Sequence, residues 1–342
     1  LAKPILYYMK KSGLLFVLFP LLFSCNQSTD YINISGFTQG TTYSITYQCT
    51  KNKNYQAEIE HLLCEFDTSL STYNKLSLIT SVNNNNENRI DEYLKTVFVR
   101  AMEISEYTDG AFDITVGPLV NAWGFGFTEK ENIDQHKIDS ILQFVGYKKI
   151  WLENDRIIKS DPRVKMDMNA IAQGYAVDVV ALFLEKNNIQ NYLVEIGGEV
   201  RTLGLNPKGE TWKIGIDKPI DNNNIPGENL QAIIHLNNKS LATSGNYRRF
   251  YEKDGIKYSH TIDPKTGYPV NHSLLSATVI ANDCMTADAF ATAFMVLGLE
   301  KSITLVQQHP ELEAYFIYSD EDGNYSVKST KGIDEILEEV GQ

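Results

Sequence analysis

The chain has 342 residues, of which 43% are hydrophobic, so there is ample material for a large core. That length fits one big domain or two fused lobes. Its formal charge is −12, and it falls to −15 once Lys3, Lys10 and Lys11 are left aside as part of a removable leader. Such an acidic balance excludes nucleic acid as a partner and argues against broad electrostatic attachment to anionic lipid. Cysteine is scarce, with Cys25, Cys49, Cys64 and Cys284 only. No disulfide framework or zinc spacing exists, although Cys49 and Cys64 could pair in an oxidising compartment.

Met9-Lys10-Lys11 opens a basic segment, followed by an apolar run from Leu14 to Phe23 that Pro20 interrupts. The run is too short to span a bilayer comfortably, which favours a secretory leader over residues 1–24. It ends in Leu22-Phe23-Ser24-Cys25, similar to a bacterial lipoprotein cleavage box, with Phe23 bulkier than such boxes usually hold. The expectation is a lipidated Cys25, a polar tether over 25–30, and one domain over 31–342. Ordinary leader cleavage or an uncleaved anchor are the competing readings. The expected location is the bacterial cell envelope, as an inner-membrane lipoprotein facing the periplasm.

Downstream, helix and strand patterns mix. Tyr31–Phe37 and Thr42–Cys49 alternate as strands around Gln39-Gly40, and Gln56–Leu70 and Glu92–Tyr107 carry helical periodicity. Asn83–Asn86 and Asn222–Asn224 read as loops. Asp134–Val145 reads as a helix, Lys149–Leu152 with Arg156–Lys159 as a hairpin, and Ile171–Lys186 as an apolar helix. Tyr192–Glu195, Glu199–Gly204, Trp212–Asp217 and Ala232–Leu236 read as strands. Phe250–Lys253 and Lys257–His260 flank Asp254-Gly255, a hairpin sequence. Leu275–Ala281 is a strand, and Ala314–Tyr318 pairs with Tyr325–Ser329. The fold class is α+β or mixed α/β, with mixed sheets and packed helices.

The stretch Cys284 to Phe294 is alanines and large apolar residues, yet carries Asp288 and Thr292 four apart on one helical face. A carboxylate there is costly unless paired or bound to a cation, and carboxylate plus hydroxyl suits a hard ion such as Mg²⁺. Equally, Thr286 or Asp288 could be the helix cap and Thr292 could bond back along the helix. Thr108-Asp109-Gly110-Ala111-Phe112-Asp113 places an aromatic between acids at a Gly turn; it fits a flat ring or a helix end with Gly110 left-handed. Met166 to Asp178 reads as Asp167 ending a strand and Ala170 opening a helix, which suits an anion at first-turn N–H groups or an ordinary turn capped by Asn169. Ile196-Gly197-Gly198-Glu199 reads as a bulge or as a place where ligand meets backbone. His260 precedes the turn Asp263-Pro264-Lys265-Thr266-Gly267 and is a candidate acid or base.

In this order, from Gly36-Phe37-Thr38-Gln39-Gly40-Thr41-Thr42-Tyr43 to the Asp288/Thr292 helix, these motifs resemble the ApbE-type FAD:protein FMN transferases, once labelled thiamine-biosynthesis lipoproteins. The resemblance implies an ApbE-like, T-fold-like architecture, FAD as substrate, Mg²⁺ as cofactor, and transfer of FMN onto a Thr or Ser hydroxyl of an acceptor protein with release of AMP. It implies metal ligands in the Ala170 carbonyl, Asp288 and Thr292. It implies flavin and pyrophosphate contacts at Tyr73 of Ser71-Thr72-Tyr73, Ala111, Phe112, Asp113, Asp167 and Ile262. Gln39 stands where many relatives have Met, and Gln173 where many have Lys, so two cofactor-binding positions are altered. The acceptors implied are subunits of membrane redox complexes.

His260 or Asp263 could serve as catalytic base toward the acceptor hydroxyl. Two other functions use the same residues: a Mg²⁺-dependent FAD pyrophosphatase, with water in place of the acceptor, and a periplasmic lipoprotein that only binds flavin.

Overall fold

The structure is a computed structural model that describes residues 29–50, 53–126, 133–220, 227–246, 250–253 and 256–340. The expected leader, Cys25 and Asn222–Asn224 lie outside them. The chain enters with β1 (Thr29–Thr38) and β2 (Thr41–Thr50), then α1 (Gln56–Leu70), α2 (Leu78–Asn83), α3 (Glu92–Tyr107), α4 (Gly117–Ala122) and α5 (Gln135–Leu142). Next come β3 (Ile150–Glu153), β4 (Arg156–Lys159), α6 (Ala172–Lys186), β5 (Tyr192–Ile196), β6 (Glu199–Leu203), β7 (Trp212–Asp217), β8 (Leu230–Leu236) and β9 (Ser240–Gly245). It continues with β10 (Phe250–Lys253), β11 (Ile256–Ser259), β12 (Leu274–Ala281), α7 (Cys284–Leu297), α8 (Leu299–Gln308), β13 (Glu313–Ser319), β14 (Tyr325–Ser329), α9 (Lys331–Asp334) and β15 (Leu337–Glu339).

Eight strands form one antiparallel sheet in the order β1-β2-β5-β6-β9-β12-β13-β14, and β15-β8-β7 form a second. The result is three layers. Helices α1, α3, α6 and α7 cover one face of the large sheet through Ile59, Phe66, Val97, Val177 and Phe290. The small sheet covers the other face, where Trp212, Ile214 and Ile234 meet Val200, Leu241, Ile280 and Ile317. β12 is therefore buried on both sides along most of its length, Ser276 and Thr278 included. A satellite cluster joins α4 and α5 through Leu119, Trp123, Ile138 and Ile141 and takes in Ile262.

Several expectations change. Thr29 and Asp30 belong to β1, so the strand takes the end of the expected tether. Met166 and Asp167 are not in a strand, and α6 begins at Ala172 with Ile171, not Asn169, at its N-cap. Gly197-Gly198, with φ of 61° and 104°, is the two-residue turn of the β5–β6 hairpin rather than a bulge, since Ile196 pairs with Glu199. Cys49, Cys64 and Cys284 are all free thiols, so Cys49 and Cys64 do not pair.

Candidate functional site

Helix α7 starts at Asp283, whose side chain accepts the Thr286 N–H at 2.8 Å; neither Thr286 nor Asp288 is the cap. Asp288 therefore sits a full turn inside a buried helix, 5% exposed. It lies where α7 crosses α6, and its Oδ2 accepts the Gly174 N–H at 3.0 Å. The crossing is close because residue 174 is glycine. A Cβ there would collide with the Cys284 carbonyl oxygen and lie 2.8 Å from the Asp288 Cβ. A second acid, Asp178, ties the helices together one turn along α6. Its Oδ1 accepts Cys284 N–H at 2.9 Å and Arg201 Nη1 at 2.8 Å, and its Oδ2 accepts Met285 N–H at 2.8 Å.

Among the described residues the Gly174 N–H is the one hydrogen-bond donor to Asp288. Burial raises its carboxyl well above the usual range, the nearby Asp178 adding to the effect. Thr292, one turn further along α7, has its hydroxyl 3.2 Å from that of Ser244 on β9. Ala170 lies in the turn just before α6, half-buried against the main core. Among the described residues no group of three or more His, Cys, Asp or Glu is placed to hold a metal. The side chains of α7 and β9 here offer instead one buried carboxylate and two hydroxyls, hard-oxygen groups that fit Mg²⁺ better than a soft metal.

The same end of the large sheet carries the β1–β2 tip and the β5–β6 turn, joined by Gly197 N–H to the Thr42 carbonyl at 3.0 Å. Gln173, on the first turn of α6, donates through Nε2 to the Ile196 carbonyl at 3.1 Å and to Glu199 Oε2. Gln39, at φ 50° in the β1–β2 turn, buries an Nε2 that has no partner among the described residues, and the same holds for the hydroxyl of Thr72. Two such orphaned polar atoms are costly in the bare protein and are groups that a polar ligand such as FAD could satisfy. Tyr73 beside Thr72 is 70% exposed.

The Ala111–Asp113 stretch is placed differently from expectation. Gly110 is left-handed, φ 79°, as the helix-end reading requires. Phe112 is 2% exposed and belongs to the main core, so it offers no free ring for stacking. Asp113 has both oxygens engaged: Oδ1 by Thr115 N–H at 2.7 Å and Oγ1 at 2.6 Å, Oδ2 by Tyr147 N–H at 2.7 Å. It latches the Thr115 and Tyr147 segments of the chain to each other. Asp167 is different. Its backbone bonds the Ile114 carbonyl and its Oδ1 accepts Asn169 N–H at 2.9 Å, while burial raises its carboxyl.

His260 follows β11 and reaches this end through its neighbour: Thr261 Oγ1 donates to Asn246 Oδ1 at 2.7 Å, just beyond Ser244 on β9. The His260 ring lies 6.4 Å from the Phe125 ring. Asp263 accepts Lys265 N–H at 2.9 Å inside its own turn, which Trp123 Nε1 fastens through the Gly267 carbonyl at 2.8 Å. Ile262 is buried against the α4–α5 cluster and bridges to Pro269, so it holds the turn in place. Cavities of about 530 Å³, beside Asn85–Asn88 and Lys159, and 420 Å³, under α8, contain none of these residues.

Gly174, Asp178, Ser244 and Glu199 entered without being anticipated as site residues. The available signal was an acid and a glycine in an apolar helix, the same oddity that marks Asp288.

The fold and this site define an α+β protein with a buried carboxylate at a helix crossing, at one end of an antiparallel sheet. Residues 39–316 match the ApbE family. A Haemophilus influenzae FAD:protein FMN transferase is 38% identical over 351 aligned positions, covering 96% of this chain and 99% of that protein. A Vibrio cholerae serotype O1 protein of the same name is 37% identical over 312, covering 89% and 92%. The solved flavin transferase ApbE from Vibrio cholerae superposes with a TM-score of 0.81 at 34% identity, covering 91% of this chain and all of that one. The chain belongs to the ApbE family.

Proposed function

We propose that the chain transfers the FMN moiety of FAD to a Thr or Ser hydroxyl of an acceptor protein, releasing AMP. The observation that carries this is Asp288, a buried carboxylate held open by the Gly174 N–H on an otherwise apolar helix. Relatives covering most of the chain are named FAD:protein FMN transferases, which supports flavin transfer as the reaction. The acceptor oxygen would attack the phosphorus on the FMN side of the pyrophosphate. A new P–O bond forms to the acceptor, and the P–O bond to the AMP phosphate breaks, AMP leaving with that electron pair. The hydroxyl proton passes to His260 or Asp263, the two candidate bases of the turn after β11.

Asp288, Thr292 and the Ala170 carbonyl would hold Mg²⁺. When bound, that ion supplies neutralisation of the pyrophosphate oxygens and of the leaving phosphate. Tyr73, Gln39 and Asp167 would hold and orient FAD; orientation alone carries much of the acceleration in phosphoryl transfer. The acceptors we propose are subunits of membrane redox complexes. A lipid on Cys25 would hold the chain at the periplasmic face of the inner membrane, the support being the basic, apolar and Ser24-Cys25 pattern. Cys25→Ser should then release the protein from the membrane fraction.

The test is incubation with FAD, Mg²⁺ and a candidate acceptor, followed by mass spectrometry. Acceptor mass increased by one FMN, with AMP released and both lost on chelation, is expected. FMN and AMP free in solution with unmodified acceptor would replace transfer with hydrolysis.

A further inference from the structure

Met166 is 1% exposed and lies in neither helix nor strand, so its backbone N–H and carbonyl are buried with no ladder to join. Both are taken by one side chain that is 83 residues away in sequence. Met166 N–H donates to Asn83 Oδ1 at 2.7 Å, and Asn83 Nδ2 donates to the Met166 carbonyl at 2.8 Å. The amide thus copies the pairing of a neighbouring strand, and it fits one way round only, because an N–H can only donate. The next N–H, that of Asp167, donates to the Ile114 carbonyl at 2.7 Å. The Asp167 side chain then rests against the start of α4, where a Cβ at Gly117 would lie 3.2 Å from the Asp167 Cβ.

Asn83, expected in a loop, is the last residue of α2, and the other end of that helix holds the loop that carries Tyr73. Ser77, the N-cap, donates through Oγ to the Ser71 carbonyl at 2.7 Å, and Thr80 Oγ1 donates to the Asn74 carbonyl at 2.9 Å. Tyr73 is therefore bracketed by two hydrogen bonds to the start of α2. Ile79 and Val82 key the helix into the main core. Its far end is tied down on both sides of Asn83: Lys159 Nζ donates to the Val82 carbonyl at 2.7 Å, and Asn85 Nδ2 to the Pro162 carbonyl at 2.9 Å. One short helix, about 9 Å long, thus joins the two residues that would hold FAD, Tyr73 and Asp167.

We propose that Asn83 is a positioning residue for FAD: its amide fixes the backbone at Met166, so that Asp167 stands at a set place relative to Tyr73. This rests on the reading of Asp167 as a FAD contact. A contact that must first be ordered costs affinity, and a preorganised one does not. Without the amide, Met166 keeps its side chain in the core, but its N–H and carbonyl lose their partner and Asp167 loses an anchor beside it. The ties at Val82 and Asn85 remain, so the helix and its loop stay in place.

The test is FAD binding without acceptor, by calorimetry at a temperature where every variant is folded, on wild type, Asn83→Ala, Asp167→Ala, the double variant and Ile79→Val. Asn83→Ala and Asp167→Ala should each weaken FAD by about 3- to 10-fold, the worth of one hydrogen bond. In the double variant the Asn83 change should add nothing, because it acts through Asp167. Ile79→Val trims the core face of the same helix and should lower the melting temperature while FAD affinity holds. Wild-type affinity in Asn83→Ala, with affinity lost in Asp167→Ala, overturns the role of Asn83 and leaves Asp167 as a FAD contact. Wild-type affinity in Asp167→Ala removes Asp167 from the FAD site, and the proposal with it. Additive losses in the double variant, or an equal loss in Ile79→Val, make Asn83 a general support of the fold and also overturn the proposal.

Discussion

Gly174 and Asp288 meet across the α6–α7 crossing, N–H to Oδ2, at 3.0 Å. One residue gives up its side chain so that the other can bring a carboxylate into the core. The contact combines a packing requirement with a chemical one, and the two can be separated by mutation.

Gly174→Ala should lower stability by about 1–3 kcal/mol, because the new methyl meets the rigid Cys284 backbone rather than a movable side-chain end. Pushing α6 and α7 apart should also displace Asp288, so Mg²⁺ affinity falls in the same variant. Thermal unfolding with and without Mg²⁺ checks both; an unchanged melting temperature would mean the helices shift apart freely.

Asp288→Ala should leave the metal-free fold intact, since it removes a buried charge that has a single donor. Mg²⁺-dependent turnover should fall by about 10³-fold or more, as expected when several kcal/mol of charge stabilisation is lost. Rate against Mg²⁺ concentration is the measurement, and normal activity at limiting Mg²⁺ contradicts the assignment.

Asp178→Ala leaves the Arg201 guanidinium partly buried with only Glu185 at 3.0 Å, and frees the two N–H groups that start α7. A loss of about 3–5 kcal/mol is expected. There is a pH signature as well. Burial raises the Asp178 carboxyl from 3.8 to about 6 in spite of its partners. Between those values the folded state holds a proton that the unfolded chain has released, so this group's contribution to stability is greatest at low pH and declines as pH rises through the window. The margin of wild type over Asp178→Asn in urea unfolding should therefore be wider at about pH 4.5 than at about pH 7.5.

His260→Asn should slow FMN transfer by about 10²–10⁴-fold while FAD affinity and melting temperature hold. His260 is half-buried beside Phe125, and its neighbour Thr261 is bonded to Asn246, so the backbone stays in place without the imidazole. A joint fall in FAD binding and melting temperature would make it a scaffold residue.

Tyr73→Ala should weaken FAD binding by about 3- to 10-fold, the worth of one aromatic contact, and AMP binding less. The ring is 70% exposed next to the orphaned Thr72 hydroxyl, so it has surface to lose to a ligand. Equal losses for FAD and AMP would place it away from the flavin.

Where information is local, the sequence was readable. α1 and α3 occupy the spans that their 3.6-residue periodicity marks, and β10 and β11 pair as expected, although the Asp254-Gly255 turn itself lies outside the described residues. The short helices α2, α4 and α9 went unread because four to six residues carry too little periodicity. Asp288 was conspicuous because a carboxylate among alanines and phenylalanines has no cheap explanation.

By itself the sequence determined the alternating strands, the long amphipathic helices, the acidic surface and the presence of an acid where apolar packing is expected. Those follow from short-range periodicity and transfer free energies, which need no knowledge of neighbours. Only the tertiary structure decided that β9 pairs between β6 and β12, that Phe112 and Asp113 turn into the core, and that Gly174 meets Asp288 while Gln173 beside it meets Glu199. These are contacts between residues tens to more than a hundred positions apart. Which partner meets which is set by the packing of whole layers, and that is not written in any one segment.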